Sequence, residues 1–228
     1  MIEKISHSDS AKKIISFDLD GTLVSAGFGD MVWNHGIPEA YAEKYSISFD
    51  DARILVMKEY ASVGDSNILW YKIEHWLNRF DLQITGVELL KKYETYIEPL
   101  PNAIDVVKKL KDSYTLIIAS NAARIFVEKE LEYTGLDKYF SHKISATTDY
   151  NMVKKDRAFY EKICTIFNVL PEEIVHVGDH EIFDFKVPSD IGIQAYHIRD
   201  CKVATEDQRS EKDNEKIIYD LADLLDKL

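Results

Sequence analysis

The chain has 228 residues, 46% hydrophobic and 30% charged, with 28 Lys and Arg against 40 Asp and Glu for a formal net charge of −12. This composition excludes a disordered chain, and a chain of this length buries roughly 70% of its unfolded surface, as one large domain or one domain carrying an insertion. The acidic balance, without a basic block, argues against nucleic acid and against an anionic membrane surface as partners.

The run 13–17 (Lys-Ile-Ile-Ser-Phe) is an apolar segment that reads as a short buried strand entering the polar turn Asp18-Leu19-Asp20-Gly21-Thr22. From about Val24 to Glu98 the apolar residues recur at helical spacing, in the stretches 38–45, 50–62, 67–80 and 86–97. These predict about four helices, with Asp50, Asp51 and 65–67 as start signals. The Gly-rich segment 27–30 reads as a hinge or flap. After Pro99-Leu100-Pro101 strands and helices alternate. Helices are expected over 102–111, 122–133, 156–168 and 184–191, and strands over 114–119, 143–146, 174–177 and 194–198. An amphipathic closing helix is expected over 214–228, after a polar loop at 204–214. Alternation of this kind predicts right-handed crossovers and a parallel sheet. The expected architecture is a doubly wound α/β core, 1–24 and 99–228, interrupted after its first strand by a helical domain, 25–98. Cys164 and Cys201 read as free thiols in a reducing cytoplasm. No apolar run approaches the roughly 20 residues that span a bilayer. The polar start, 1–10, lacks the apolar stretch of a secretory signal.

In such sheets ligands bind beyond the carboxyl ends of the strands. The predicted strands deliver Asp18 and Asp20, then Ser120 and Asn121, then Asp179 and Asp184, and the loop before 156–168 delivers Lys154 and Lys155. Four carboxylates in one pocket repel each other unless compensated. A divalent cation with hard oxygen ligands, Mg²⁺ above all, together with a lysine, supplies that compensation. A strand-end Asp is a credible nucleophile, and an Asp two residues on lies on the same side as an acid/base partner. The histidines form no metal-binding spacing; His180 is equally readable as a pocket residue or a structural one.

Asp18-Leu19-Asp20-Gly21-Thr22-Leu23-Val24 resembles the first motif of the haloacid dehalogenase-like (HAD) hydrolase superfamily. Ser120-Asn121 at the end of 117–121 is similar to its second, and Lys154 with Asp156 and Phe159-Tyr160 to its third. His176-Val177-Gly178-Asp179 with Asp184 resembles its fourth. The resemblance implies a phosphatase of a small phosphorylated metabolite, with Asp18 as nucleophile and Asp20 as acid/base. Ser120 and Asn121 would hold the phosphoryl group, and Lys154 would be the site lysine, preferred over Lys155 by register with Phe159-Tyr160. Asp18, the Asp20 carbonyl, Asp179 and Asp184 would bind Mg²⁺. The same resemblance makes 25–98 a helical cap of the C1 type and the protein a cytoplasmic monomer or homodimer. A phosphomutase is the alternative, ahead of a dehalogenase or a non-catalytic binding protein. The third motif departs from the usual Lys-Pro, reading Lys154-Lys155, and Val187-Pro188 replaces the usual Gly-Ala.

Overall fold

The structure, a computed structural model, describes residues 13–153, 155–199 and 215–228. Six strands form one sheet: β1 (Ile14–Phe17), β2 (Thr115–Ser120), β3 (His142–Ser145), β4 (Ile174–Gly178), β5 (Gln194–Ile198) and β6 (Ile217–Ile218). Their order is β3-β2-β1-β4-β5-β6, and every pairing is parallel. The α/β expectation therefore holds. β1 is central, and all four of its residues are buried, as a strand covered on both faces requires. The registers Phe17↔Ile118 and Phe17↔Val177 bring the carboxyl ends of β1, β2 and β4 to the same edge of the sheet. The chain order reverses across β1, so the carboxyl edge there is the crevice of the fold.

The insertion that follows β1 carries five α-helices: α1 (Gly27–Met31), α2 (Ile37–Tyr45), α3 (Phe49–Val63), α4 (Ile73–Arg79) and α5 (Gly86–Tyr93). Segment 27–30 belongs to α1 and is no free flap, because Phe28 is fully buried and anchors it. The stretch 67–80 divides into a 3₁₀ turn, Ile68–Tyr71, and α4. A capping box of Thr85 and Glu88 starts α5. The interior of this insertion is aromatic. Trp76 is fully buried, with Tyr60 at 4.5 Å and Phe80 at 5.8 Å between ring centroids.

The core continues with α6 (Ala103–Leu110), α7 (Arg124–Thr134), α8 (Ala146–Tyr150), α9 (Arg157–Phe167) and α10 (Val187–Asp190). One apolar cluster runs from a face of the sheet through α7 into the insertion; a second, with Phe159, Tyr160, Ile163 and Phe167, fills the other face. Trp33 stacks on Phe126 of α7 at 5.5 Å, across the seam between insertion and core. The stretch 184–191 is a π-turn, Glu181–Lys186, followed by α10, with Pro188 in the first turn as its missing N–H demands. The expected closing helix is not formed. Ile217–Ile218 pairs with β5 instead, and a 3₁₀ turn, Leu221–Asp226, follows, started by the Asp220 side chain. The polar stretch 204–214, the start 1–10 and Cys201 lie outside the described residues. Cys164 is a buried free thiol. No helix among the described residues is long and apolar enough to cross a membrane.

Candidate active site

Asp18 follows β1 directly, and its backbone N–H donates to the Val177 carbonyl at 2.9 Å. This places the Asp18 carboxylate beside the end of β4, from which Asp179 and Asp184 come. Two glycines make the approach possible. Gly21 has φ +74°, and a Cβ there would lie 2.3 Å from Asp179 Oδ2; a Cβ on Gly178 would lie 2.4 Å from Asp184 Cβ. Any side chain at either position would push a carboxylate out of the cluster.

Lys155 is the lysine of the site. Its side chain is 2% exposed, and Nζ donates to Asp18 Oδ1 at 2.7 Å, to the Ala119 carbonyl at 3.2 Å and to Asp184 Oδ1. This corrects the expected register by one position. Asp156 caps α9 by accepting from the Phe159 N–H at 3.0 Å, so the chain enters that helix with Lys155 turned inward. Lys154 lies outside the described residues. Burial alone would lower the pKa of Lys155, but the charges of Asp18 and Asp184 outweigh it and raise it.

Asp184 is ionised. Burial alone would raise its pKa, but Lys155 and His176 hold it well below the usual carboxylate range. Its Oδ2 accepts from the His180 backbone N–H at 3.1 Å. His176 lies beneath it, with Nε2 3.1 Å from Asp184 Oδ1 and Nδ1 3.0 Å from Ser16 Oγ. A carboxylate partner draws the ring proton to Nε2, which leaves Nδ1 to accept from Ser16. Tyr160 completes this buried brace, donating to the Phe183 carbonyl at 2.7 Å. The His180 side chain caps the following turn, so here it is structural.

The other carboxyls are pushed upward. Burial, then the charge of Asp18, raises Asp20 to about 7. Burial, then Asp18 and Asp184, raises Asp179 to about 7. Burial also raises Asp18, against the pull of Lys155. Carboxyl oxygens of Asp18, Asp179 and Asp184 all lie within 4.8 Å of one another. Such a set of hard donors, crowded against its own repulsion, fits a divalent cation.

Ser120 ends β2 and is buried; its Oγ accepts from the Ala122 N–H at 3.1 Å. The Asn121 carbonyl accepts from Thr147 Oγ1 at 3.0 Å, while Asn121 Oδ1 is buried without a partner. Beside this loop a cleft of about 360 Å³ separates Tyr71 and Lys72 of the insertion from Ala123, Arg124 and Thr147 of the core. Sequence reasoning weighed Lys155 but preferred Lys154, gave His176 a place in a motif but no role, and missed the wholly buried Glu130 of α7. The detectable signal for Glu130 was an acid four residues after Phe126, on a face otherwise filled by Val127 and Leu131.

Among known proteins, a glyceraldehyde 3-phosphate phosphatase of Pyrococcus furiosus is 27% identical over 229 aligned positions, covering 95% of this chain and 92% of that one. A GMP/IMP nucleotidase of Escherichia coli is 23% identical over 73% of this chain and 74% of its own length. The crystal structure of a HAD phosphatase from Thermococcus onnurineus superposes with a TM-score of 0.77 at 26% identity, covering 94% of this chain and 96% of that one. Residues 12–187 match the family described as haloacid dehalogenase-like hydrolase. By that match the chain belongs to the haloacid dehalogenase-like hydrolase family, as an enzyme of its phosphatase type.

Proposed function

We propose that this enzyme is a Mg²⁺-dependent cytoplasmic phosphatase that hydrolyses a small phosphorylated metabolite through an aspartyl-phosphate on Asp18. The observation that carries the reading is the buried ammonium of Lys155 held between Asp18 and Asp184, with Asp179 adjoining, at the crevice of the sheet. Lys155 opposes the upward push of burial on the Asp18 carboxyl and aims it, as a carboxylate nucleophile requires. The oxygen of Asp18 attacks phosphorus, the bond to the leaving oxygen breaks, and Asp20 passes its proton to that oxygen. Asp20 then takes a proton from the water that attacks the same phosphorus, and inorganic phosphate leaves with Asp18 restored. Ser120 Oγ and the N–H groups of the following loop suit the phosphoryl oxygens. Mg²⁺, held by Asp18, Asp179, Asp184 and the Asp20 carbonyl, would neutralise phosphoryl charge.

The insertion 25–98 acts in this reading as a cap over the crevice, and the cleft beside Lys72 and Arg124 leaves room for a small substrate body. A panel of small phosphomonoesters, scored by phosphate release with and without Mg²⁺, tests the proposal. Release that needs the metal is expected. No release from any ester would overturn it, and return of the phosphoryl group to sugar phosphate would indicate a mutase.

A further inference from the structure

Helix α7 turns Phe126, Val127 and Leu131 into the core, yet one position of that buried face is an acid. Glu130 has no solvent exposure, and neither of its carboxyl oxygens meets an N–H or O–H donor. The polar group that it faces is the carboxyl of Asp20. Two bare carboxylates cannot hydrogen-bond to one another; a proton between them satisfies both. An apolar side chain would fill the position without that desolvation penalty. The acid therefore weakens the fold locally, and the one group placed to benefit is Asp20.

We propose that Glu130 is a positioning residue for the phosphatase reaction: hydrogen-bonded to Asp20, it holds the Asp20 carboxyl in the orientation from which it serves the leaving oxygen. The inference rests on the acid/base role given to Asp20 above. Glu130 exchanges no proton with substrate and makes no bond to it; its contribution is the direction in which Asp20 points. Glutamine can do the same, because its N–H donates to an ionised Asp20 and its carbonyl accepts from a protonated one. Leucine can do neither.

The test uses the full chain with Mg²⁺ and two esters: an alkyl phosphate that the wild type cleaves in the panel, and p-nitrophenyl phosphate. A nitrophenolate needs no proton to leave, whereas an alkoxide does. Single-turnover release of the leaving group isolates the step in which Asp20 acts as acid. Glu130→Gln is expected to stay within about threefold of wild type on both esters. Glu130→Leu is expected to slow alkyl ester cleavage about 10- to 100-fold, the scale of a misplaced catalytic group, while changing nitrophenolate release less than about threefold. It is also expected to melt no lower than wild type, since the desolvation penalty of a buried acid is gone.

Equal losses on both esters, or a Glu130→Leu protein that fails to fold or melts well below wild type, would make Glu130 structural and overturn the inference. Unchanged cleavage of both esters would make it dispensable. A wild type that cleaves no ester at all fells the phosphatase reading first, and this inference with it, so the two failures are distinct.

Discussion

At the carboxyl edge of the sheet the buried side chains are Asp18, Lys155, Asp184 and His176; in the insertion they are rings, with Trp76, Tyr60 and Phe80 packed against one another. The first region is held by charge and by glycines that let carboxylates crowd together. The second is held by apolar area and by ring contacts, with Tyr60 edge-on to Trp76 and Phe80 stacked on it. In the edge, removing one partner leaves another charge buried and unpaired. In the insertion, removing one ring leaves a cavity. The contrast separates where the molecule carries chemistry from where it carries shape, and substitutions in each should fail differently.

The sharpest break is Asp18→Asn, expected to lower turnover by at least about 10⁴-fold because the covalent route is lost. Phosphate release measures it, and near-normal turnover would take the nucleophile away from Asp18. Lys155→Ala should both abolish most activity and destabilise the fold by about 3–5 kcal/mol, since it strands Asp18 and Asp184. Lys154→Ala, the control, should stay within about 0.5 kcal/mol in urea denaturation; the reverse result would restore the other lysine to the site. Trp76→Ala should cost a comparable amount, about 3–5 kcal/mol, yet leave the Mg²⁺ requirement unchanged, and a lost metal requirement would erase the distinction between the regions.

Acid sensitivity sharpens the comparison further. Asp20 and Asp179 carry folded values of about 7, above the ordinary carboxylate value near 4 that they regain on unfolding. Between these values the folded chain binds more protons than the unfolded one, so the stability of the metal-free protein falls as pH rises from about 4 to 7. Melting temperatures in chelator should show that fall, and Mg²⁺ should flatten it. A rise through the same window would show that the edge is not crowded by repulsion. The smallest effect is expected at Thr85→Ala, about 1 kcal/mol from the lost helix cap, read from a denaturation midpoint.

Much of the edge was legible because strand-end carboxylates are few and their spacing is short: Asp18, Asp20, Asp179 and Asp184 can be placed from the apolar runs that precede them. Lys155 was not, because two adjacent lysines in a loop give no periodicity, and the deciding signal is the helix cap at Asp156. Glu130 was hidden by its own helix, where an isolated acid looks solvated until the partner across the fold is known. The last strand was misread because Ile217-Ile218 fits an amphipathic helix as well as an edge strand. Pairing with β5 decided the matter, and pairing is a tertiary fact. The insertion showed its helices but not the kink at 68–71, where Asn67 caps a short turn.

The way the chain leaves and rejoins the core has a mechanical result. Val24 pairs antiparallel with Pro99, the Ser25 N–H donates to the Glu98 carbonyl and the Leu100 N–H to the Leu23 carbonyl, each at 2.9 Å. The same Val24 is bridged to Asp20, and its carbonyl accepts from the Gly21 N–H at 2.7 Å. Both connectors of the insertion are thus strapped together at one pivot, and the turn bearing Asp20 is stitched into the strap. Torque applied to the helices reaches that turn within two hydrogen bonds, so Asp20 sits at the fulcrum of the lever.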